Sequence, residues 1–382
     1  MAVQAMQAPA FQQGLAEIEG DWAVDGCRGL AALLVMLAHY GVFFSLPADL
    51  ITLSTTGVDW FFVLSGYVFA PALLGRKPLK ITPFFVRRFF RIIPLYVLAL
   101  LVYAGIRLLG LPPTLEPGFA AEFAQNFLLH LFFLHTLATR EIAFYFNPAF
   151  WSLPPEVAFY LLVPVLGWAA RQQERNYASS GVWFFSILVL AVVMRIQISG
   201  HLPADPATVT VTVPVLLSFH LPGLLCEFLL GSLAWLFVQR QPGLLRRLLC
   251  AAIAVLMLVV LGMVFAGAVP VDAENSLIRG ISGLWAAAAY ALLAVAFFGW
   301  LQAPPGWLRS AALQLGFASY GIYLFHNAAP QLLALAGVKT LVPTPVFGLL
   351  AVLLTLAVSV LLHTVCEAPM RRRGRHLAQR LG

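Results

Sequence analysis

Long apolar windows recur along the whole 382-residue chain, and they constrain its fold more than any other feature. Each window is about 18 to 25 residues long, so that as an α-helix it can cross a hydrocarbon core of roughly 30 Å. Charged residues make up 10% of the chain, far below the roughly one quarter that is typical of soluble domains. We therefore expect an all-α protein, a polytopic integral membrane helical bundle of about ten transmembrane helices.

The apolar windows divide into ten predicted spans and one ambiguous window. The spans lie near residues 28–46, 57–75, 92–110, 152–170, 181–198, 214–238, 249–269, 280–301, 313–335 and 344–364. The ambiguous window, 118–138, is apolar enough to cross but carries Glu122, Gln125, Asn126, His130 and His135. If it does not cross and the N-terminus is cytoplasmic, most of the 23 Lys and Arg residues lie in the cytoplasm, as the positive-inside rule requires. We therefore expect a re-entrant or surface-lying helix at 118–138, with both termini on the cytoplasmic side of the inner membrane.

The rest of the sequence indicates one membrane domain with short ends. We predict a cytoplasmic N-terminal segment at 1–27, a transmembrane domain at 28–364 and a basic cytoplasmic tail at 365–382. Residues 1–20 lack a basic start and an apolar core, so we expect no cleavable signal peptide. The four cysteines are scattered without a CxxC pair, which favours buried small side chains over a metal site or disulfides. The net charge is +7, but the basic residues lie beside the spans, which indicates a role in membrane topology and not in nucleic-acid binding.

Arg28 and His39 stand near the two ends of the apolar run VDGCRGLAALLVMLAHYGVF. Eleven helical steps bring them onto one helix face, about 16 Å apart along the axis. If Arg28 marks the cytoplasmic surface, His39 lies near mid-membrane, where an imidazole needs a polar partner or a water-filled cavity. His39 is therefore either a structural histidine bonded to a neighbouring helix or a functional residue.

Three further polar signals lie within or beside the spans. Arg88 and Arg91, at the entry of the third span, share a face that suits a phosphate group, although plain membrane anchoring gives the same pattern. Glu156 lies in an apolar run, where a carboxylate is costly unless it is paired or solvated, so a function is the default hypothesis. His326 lies among aromatic residues in the ninth span, where the sequence favours neither a packed core histidine nor a functional one.

These residues belong to motifs that resemble the membrane-bound acyltransferase 3 family over nearly the whole chain. The family's D-G-x-R-G-x-A start and its arginine–histidine pair are matched by Asp25, Gly26, Arg28, Gly29, Ala31 and His39. Its V-D-x-F-F-V-L-S-G motif is matched by VDWFFVLSG, which contains Asp59, Ser65 and Gly66. Its R-x-x-R, W-S-L-x-x-E, S-Y-x-x-Y-L-x-H and E-x-P motifs are matched by Arg88 and Arg91; Trp151, Ser152, Leu153 and Glu156; Ser319, Tyr320, Tyr323 and His326; and Glu367 and Pro369. The departures beside Glu156 are Pro154, Pro155 and Val157.

The resemblance implies acetyl-CoA or another acyl-CoA as a co-substrate that arrives from the cytoplasm, with no permanently bound cofactor and no metal. It suits Arg28, Arg88 and Arg91 as the residues that bind the donor's phosphates. Histidine is a natural general base for a hydroxyl, so His39 is the first predicted catalytic residue, although a covalent acyl-histidine stays open. Glu156, expected toward the far face, is the second predicted catalytic residue. The predicted supporting residues are Asp25, Asp59, Ser65, Trp151, Ser152, Tyr320, Tyr323 and His326.

The resulting prediction is a transmembrane O-acyltransferase that moves an acyl group, in the first place acetyl, from cytoplasmic acyl-CoA to a hydroxyl of a cell-surface or exported saccharide. Its partners would be membrane lipids, acyl-CoA and the acceptor, with no nucleic acid; self-association and glycan-assembly partners stay open. Two alternatives are an acyltransferase for a secondary metabolite such as a macrolide, and a transporter or flippase of a lipid-linked glycan. Because no esterase-like domain follows the last span, we expect the protein to finish the transfer itself or to hand its acyl group to a separate partner.

Overall fold

The computed structural model describes residues 21–110, 118–172, 177–203, 212–268, 276–300 and 305–381, and within them the backbone forms helices and no strand. The longer helices, numbered in chain order, are α1 (Trp22–Tyr40), α2 (Gly57–Leu73), α3 (Ile81–Leu109), α4 (Phe119–Leu131), α5 (Leu153–Gln172), α6 (Tyr177–Gly200), α7 (Leu221–Gln239), α8 (Leu244–Phe265), α9 (Ser276–Phe297), α10 (Gly306–Phe325), α11 (Ala328–Leu335), α12 (Thr344–Leu362) and α13 (Ala368–Arg380). Short helical turns lie at Gly41–Phe44, Ala48–Ser54, His135–Leu137, Arg140–Ala143, Pro148–Ser152, Val213–Ser218, Val338–Leu341 and His363–Glu367.

Nine helical segments of the described residues are long and apolar enough to cross a membrane. They contain α1 to α3, α5 to α9, and the continuous segment from α12 to α13. Their outward faces carry many exposed leucine, valine and phenylalanine side chains, as expected of surfaces that contact lipid. These observations confirm the prediction of a polytopic helical bundle, and the protein is a multi-pass membrane protein.

The predicted span 313–335 is two helices in the structure. α10 ends at Phe325 and α11 begins at Ala328, so the helix is broken at His326 and Asn327. α10 is 20 residues long and rises about 30 Å, but it is not one of the nine apolar segments. It packs along α1, and the part from Ala318 to Phe325 is mostly buried, which helps to accommodate a more polar helix. The ten predicted spans therefore correspond to nine apolar segments and this broken, more polar helix.

The ambiguous window 118–138 forms a short helix followed by a turn, which brings His135 back beside His130. α4 has 13 residues and rises about 20 Å, less than the roughly 30 Å of a hydrocarbon core. The rings of His130 and His135 stack on each other, with their centroids 4.1 Å apart, and both side chains are fully buried. Burial lowers the pKa of His130 to about 4 and that of His135 to about 3, so both rings are neutral at pH 7. Asn126, His130 and His135 are thus buried inside the protein, whereas Glu122 and Gln125 are exposed on a helix that is too short to cross.

Both predicted ends of the membrane domain lie within helices. α1 begins at Trp22, with the Asp21 side chain accepting a hydrogen bond from the backbone N–H of Ala23 (3.0 Å), so residues 22–27 continue the first span. The basic tail is helical as well: it forms α13, which packs against α3. The two helices approach closely where Gly374 faces Phe90: a Cβ added at Gly374 would lie 2.6 Å from the Phe90 Cβ.

α2 and α7 pack together at the centre of the bundle through two glycines. A Cβ added at Gly66 would collide with the backbone oxygen of Phe228, and one added at Gly231 would collide with that of Val63. Small residues let membrane helices approach to backbone contact in this way. The close approach fixes the rotation of α2, and it brings the Asp59 end of α2 beside Glu227 of α7.

The direction in which the chain crosses the membrane is a prediction with a direct test. The positive-inside rule favours the topology that places most Lys and Arg residues in the cytoplasm, so reporter tags placed at 76–80 and after Leu381 should both report a cytoplasmic location. A tag at residue 46, between α1 and α2, is the control and should report the opposite side. An external report from the tag after Leu381 would contradict the predicted topology.

Candidate active site

The predicted site residues line two cavities inside the bundle. The first, which we call the arginine cavity, has a volume of about 60 Å³, room for a few water molecules. Its predicted residues are Arg28, Ser65, Arg91, Ser152, Glu156, Tyr320 and Tyr323. The second, the histidine cavity, has a volume of about 500 Å³, and its predicted residues are His39, Asp59, Trp151 and Tyr323. Tyr323 of α10 therefore lines both cavities.

The arginine cavity brings together α1, α2, α3, α5 and α10. Nη1 of Arg28 lies 3.1 Å from Oδ1 of Asp25, one helical turn earlier, so these two predicted site residues form an ion pair. Arg91 of α3 lines the same cavity, where it lies in the electrostatic field of Glu156. Two cationic side chains and one carboxylate thus face a small enclosed space, which suits an anionic ligand that makes further contacts to hydroxyl groups.

Glu156 lies in the first turn of α5 and is held by two hydroxyl groups. The Ser65 hydroxyl donates a hydrogen bond to Oε1 at 3.4 Å, and the Tyr160 hydroxyl donates to the same oxygen. Glu156 lines the arginine cavity and not the histidine cavity. Glu156 and His39 therefore line different cavities, and the expectation that Glu156 lies toward the far face stays a prediction.

Arg88 is separated from Arg91 although the two are three residues apart. Its guanidinium packs over the rings of Phe69 and Tyr160, at 5.0 and 5.8 Å from their centroids, and it does not line the arginine cavity. Its Nε is buried with no hydrogen-bond partner in the described residues. The R-x-x-R pair therefore presents one arginine to the cavity and keeps the other among aromatic rings behind it.

His39 lies in the last turn of α1, and its hydrogen bond defines which nitrogen is free. Nδ1 lies 2.9 Å from the carbonyl oxygen of Val35. Since a carbonyl only accepts, Nδ1 carries the proton of the neutral ring, and the lone pair is on Nε2. The side chain is partly exposed to the histidine cavity. This arrangement prepares Nε2 to accept a proton from a molecule in that cavity.

His326, at the break between α10 and α11, packs against His39. The two ring centroids are 4.7 Å apart and the rings meet edge to face. His326 is fully buried, and its Nδ1–H lies 2.8 Å from the carbonyl oxygen of Tyr323, while the hydroxyl of Tyr40 donates to the carbonyl oxygen of His326. His326 therefore supports the ring of His39 from behind and lines neither cavity.

A short polar partition separates the two cavities. The hydroxyls of Tyr323 and Ser152 lie 2.5 Å apart, and the Tyr323 hydroxyl also lies 2.6 Å from the carbonyl oxygen of Ala149. Asn147 holds the turn that carries these groups, because its side-chain oxygen accepts from the N–H of Ala149 and from the amide of Asn327. Arg28 and His39, which were expected on one face of α1, thus line two different cavities.

Two buried charges that the sequence analysis did not single out lie beside the histidine cavity. Arg195 of α6 lines the cavity together with Asp59, and Glu227 of α7 lies 3.8 Å from Arg195. Each is a lone charge in an apolar run, VVMRIQI and LLCEFLL. The same argument that selected Glu156, the cost of a charge within the membrane, applies equally to both.

Comparison with known proteins supports the resemblance. A family model described as an acyltransferase domain matches residues 21–364. The chain belongs to this acyltransferase family. It is also similar to the exopolysaccharide production protein ExoZ of Rhizobium meliloti, with 28% identity over 85% of this chain and 92% of that protein. No solved structure matches the chain significantly.

Two further relatives cover different parts of this acyltransferase. The protein 2 in the picA locus of Rhizobium radiobacter is 37% identical over 44% of this chain and 88% of its own length. A Staphylococcus aureus protein provisionally named an O-acetyltransferase is 24% identical over 92% of this chain but only 57% of its own length. The family assignment and the multi-pass fold together make this protein a membrane acyltransferase.

Proposed function

We propose that this acyltransferase moves an acetyl group from cytoplasmic acetyl-CoA to a hydroxyl of a cell-surface or exported saccharide, in the inner membrane. The observation that carries the proposal is the free Nε2 of His39 in a cavity large enough for a small acceptor. The names of the relatives, an exopolysaccharide production protein and an O-acetyltransferase, support saccharide and acetyl as the two substrate classes.

Of the donor, only the phosphate groups are assigned to the arginine cavity, because a volume of about 60 Å³ does not hold the whole molecule. Acetyl-CoA carries phosphates at one end and the thioester at the other, so its charged end requires cations and its reactive end does not. Arg28 and Arg91 supply guanidinium groups, which bind phosphate through paired hydrogen bonds. The rise of α1 from Arg28 to His39 is about 16 Å, which gives the length that the arm of the donor has to span.

The acceptor is assigned to the histidine cavity, with His39 as the general base. Nε2 takes the proton of the acceptor hydroxyl while the hydroxyl oxygen attacks the thioester carbonyl, and the C–S bond then breaks. The protonated His39 returns the proton to the leaving thiolate, so the products are the acetyl ester and the free thiol of CoA. For this step the Tyr323 hydroxyl leaves Ser152, which joins the two cavities.

The proposal is tested with the purified protein and with cells that produce it. Mass spectrometry of the surface polysaccharide should show O-acetyl groups in cells with the active protein and none in cells with the His39→Ala protein at equal abundance. Polysaccharides with equal acetylation in both strains would contradict the proposed function. In vitro, radioactive label should pass from acetyl-CoA to the isolated polysaccharide of the deletion strain.

A further inference from the structure

Asp59, Arg195 and Glu227 converge on one point of the histidine-cavity wall. A Cβ added at Gly283 would lie 2.6 Å from Oδ1 of Asp59 and 3.1 Å from both Nη2 of Arg195 and Oε1 of Glu227. A glycine at this position of α9 is therefore what leaves room for the three charged groups. We call these three residues the charged cluster.

The members of the charged cluster differ in their access to the cavity. Asp59 and Arg195 line it, and the Arg195 side chain is anchored by a hydrogen bond from Nη1 to the carbonyl oxygen of Gly223 (3.2 Å). Glu227 is 0% exposed and lies behind them. It contacts both of them: Nη2 of Arg195 is 3.8 Å from its Oε1, and its carboxyl group lies within hydrogen-bonding reach of Asp59. A ligand in the cavity would therefore meet one carboxylate and one guanidinium, with a second carboxylate holding the guanidinium in place.

The charged cluster contains polar atoms that the protein leaves unsatisfied. Nε of Arg195 is buried with no hydrogen-bond partner in the described residues, and the buried Glu227 carboxyl group has only the neighbouring Asp59 carboxyl group as a partner. Burying polar atoms without partners is unfavourable, and charged side chains within membrane helices mark functional positions for that reason. Such a cluster is difficult to explain as helix packing alone, since a well-packed apolar trio would fit the same space at lower free energy.

The chemistry of the cavity fits a neutral hydroxylated ring. A sugar hydroxyl both donates and accepts, so Asp59 can accept from one hydroxyl while Arg195 donates to another. Two carboxylates face one guanidinium, and the cluster therefore offers no net positive charge to an anionic sugar. Trp151 gives the cavity an aromatic wall, held edge to face against Phe219 at 5.3 Å between centroids.

We propose that Asp59 and Arg195 form an acceptor subsite for a neutral hexose residue, with Glu227 as a positioning residue that orients Arg195. The proposal rests on the proposed function, and it adds the charge class of the acceptor and two residues that bind or position it. The subsite places a hydroxyl in the same cavity as Nε2 of His39, which removes its proton.

The test measures acceptor and donor separately in the purified full-length protein. Radioactive acetyl-CoA is the donor, and p-nitrophenyl β-glucoside and p-nitrophenyl β-glucuronide are the neutral and anionic acceptors. The wild type should acetylate the glucoside in preference to the glucuronide. Asp59→Asn and Arg195→Lys should raise KM for the glucoside about tenfold or more, while the Kd for acetyl-CoA changes less than about twofold. Asparagine lacks the charge of the carboxylate, and lysine lacks the planar guanidinium that fixes the direction of the hydrogen bonds.

Glu227→Gln tests the positioning role, since this side chain does not touch the acceptor. It should raise KM for the glucoside with little change in kcat, and Glu227→Asp should restore part of the loss. Arg247→Lys is the matched control: Arg247 is also a buried arginine, but it donates to the carbonyl oxygens of Val295, Ala296 and Phe298, outside both cavities. It should leave KM for the glucoside unchanged.

Four results would overturn the proposal. The first is a preference for the glucuronide, and the second is an equal rise of KM in Arg247→Lys, which would make the cluster a structural ion pair. The third is wild-type protein that binds acetyl-CoA but acetylates neither glycoside, which would exclude the hexose class. The fourth, wild-type protein that does not bind acetyl-CoA at all, would refute the proposed function itself and the subsite with it.

Discussion

Replacing His39 by alanine should lower the rate of acetyl transfer by about 10²- to 10⁴-fold, the range that general acid–base catalysis contributes. The reason is geometric: Nδ1–H is held by the carbonyl oxygen of Val35, and Nε2 is the lone pair that the histidine cavity presents to an acceptor. Alanine removes that base and leaves the arginine cavity untouched. The measurement is transfer of label from acetyl-CoA to the acceptor, with acetyl-CoA binding measured in parallel by calorimetry.

His201 provides the matched control for this variant. Its Nδ1 makes the same kind of bond to a backbone carbonyl one turn earlier, that of Gln197 at 2.7 Å, but the residue is exposed and outside both cavities. His201→Ala should transfer acetyl at the wild-type rate. Substantial transfer by His39→Ala, in protein of normal abundance and normal acetyl-CoA affinity, would remove His39 from the mechanism.

Replacing Arg91 by glutamine should weaken acetyl-CoA binding roughly tenfold to a hundredfold. A charged hydrogen bond is typically worth about 1.5 to 3 kcal/mol, and Arg91 is one of two guanidinium groups that line the arginine cavity. Arg28→Gln should have a similar effect. Lysine at position 91 should restore only part of the affinity, because a point charge replaces a planar fork. Calorimetric titration with acetyl-CoA measures all of these variants.

Variants of two other arginines of α3 show whether Arg91 contacts the donor or only contributes to the overall charge. Arg87 is exposed on α3, so Arg87→Gln should bind acetyl-CoA with wild-type affinity. Arg88 packs among aromatic rings, and Arg88→Gln should therefore lose less affinity than Arg91→Gln. If Arg91→Gln and Arg87→Gln bind the donor as tightly as the wild type, the R-x-x-R pair is a membrane anchor and the donor site lies elsewhere.

The parts of the fold that the sequence could predict are those set by local chemistry. A run of apolar residues forms a spanning helix wherever it lies, because each backbone group is satisfied within the helix itself. Local sequence was also enough to identify Glu156 and His39 as candidates, because each is a polar group inside an apolar run. Arg195 and Glu227 would have been identified as well, had every lone charge in a span been treated in the same way.

The arrangement of the site depended on contacts that a sequence pattern does not contain. Arg195 and Glu227 lie on different helices, and only the glycine contacts between α2 and α7 bring Asp59 to them. The separation of Arg91 from Arg88 depends on the rings of Phe69 and Tyr160, which lie on two other helices. Helical periodicity places two residues on one face, but neighbouring helices decide what each of them meets.

The contact between the hydroxyls of Tyr323 and Ser152 also bears on the voltage across the membrane. A membrane that stores a voltage does work of about 2.3 kcal/mol on each elementary charge per 100 mV, so a continuous water column through a protein would discharge it. Here a cavity lined by arginines and a cavity lined by a histidine stop on opposite sides of one 2.5 Å contact. We therefore expect the protein to leak few protons as long as this contact is closed.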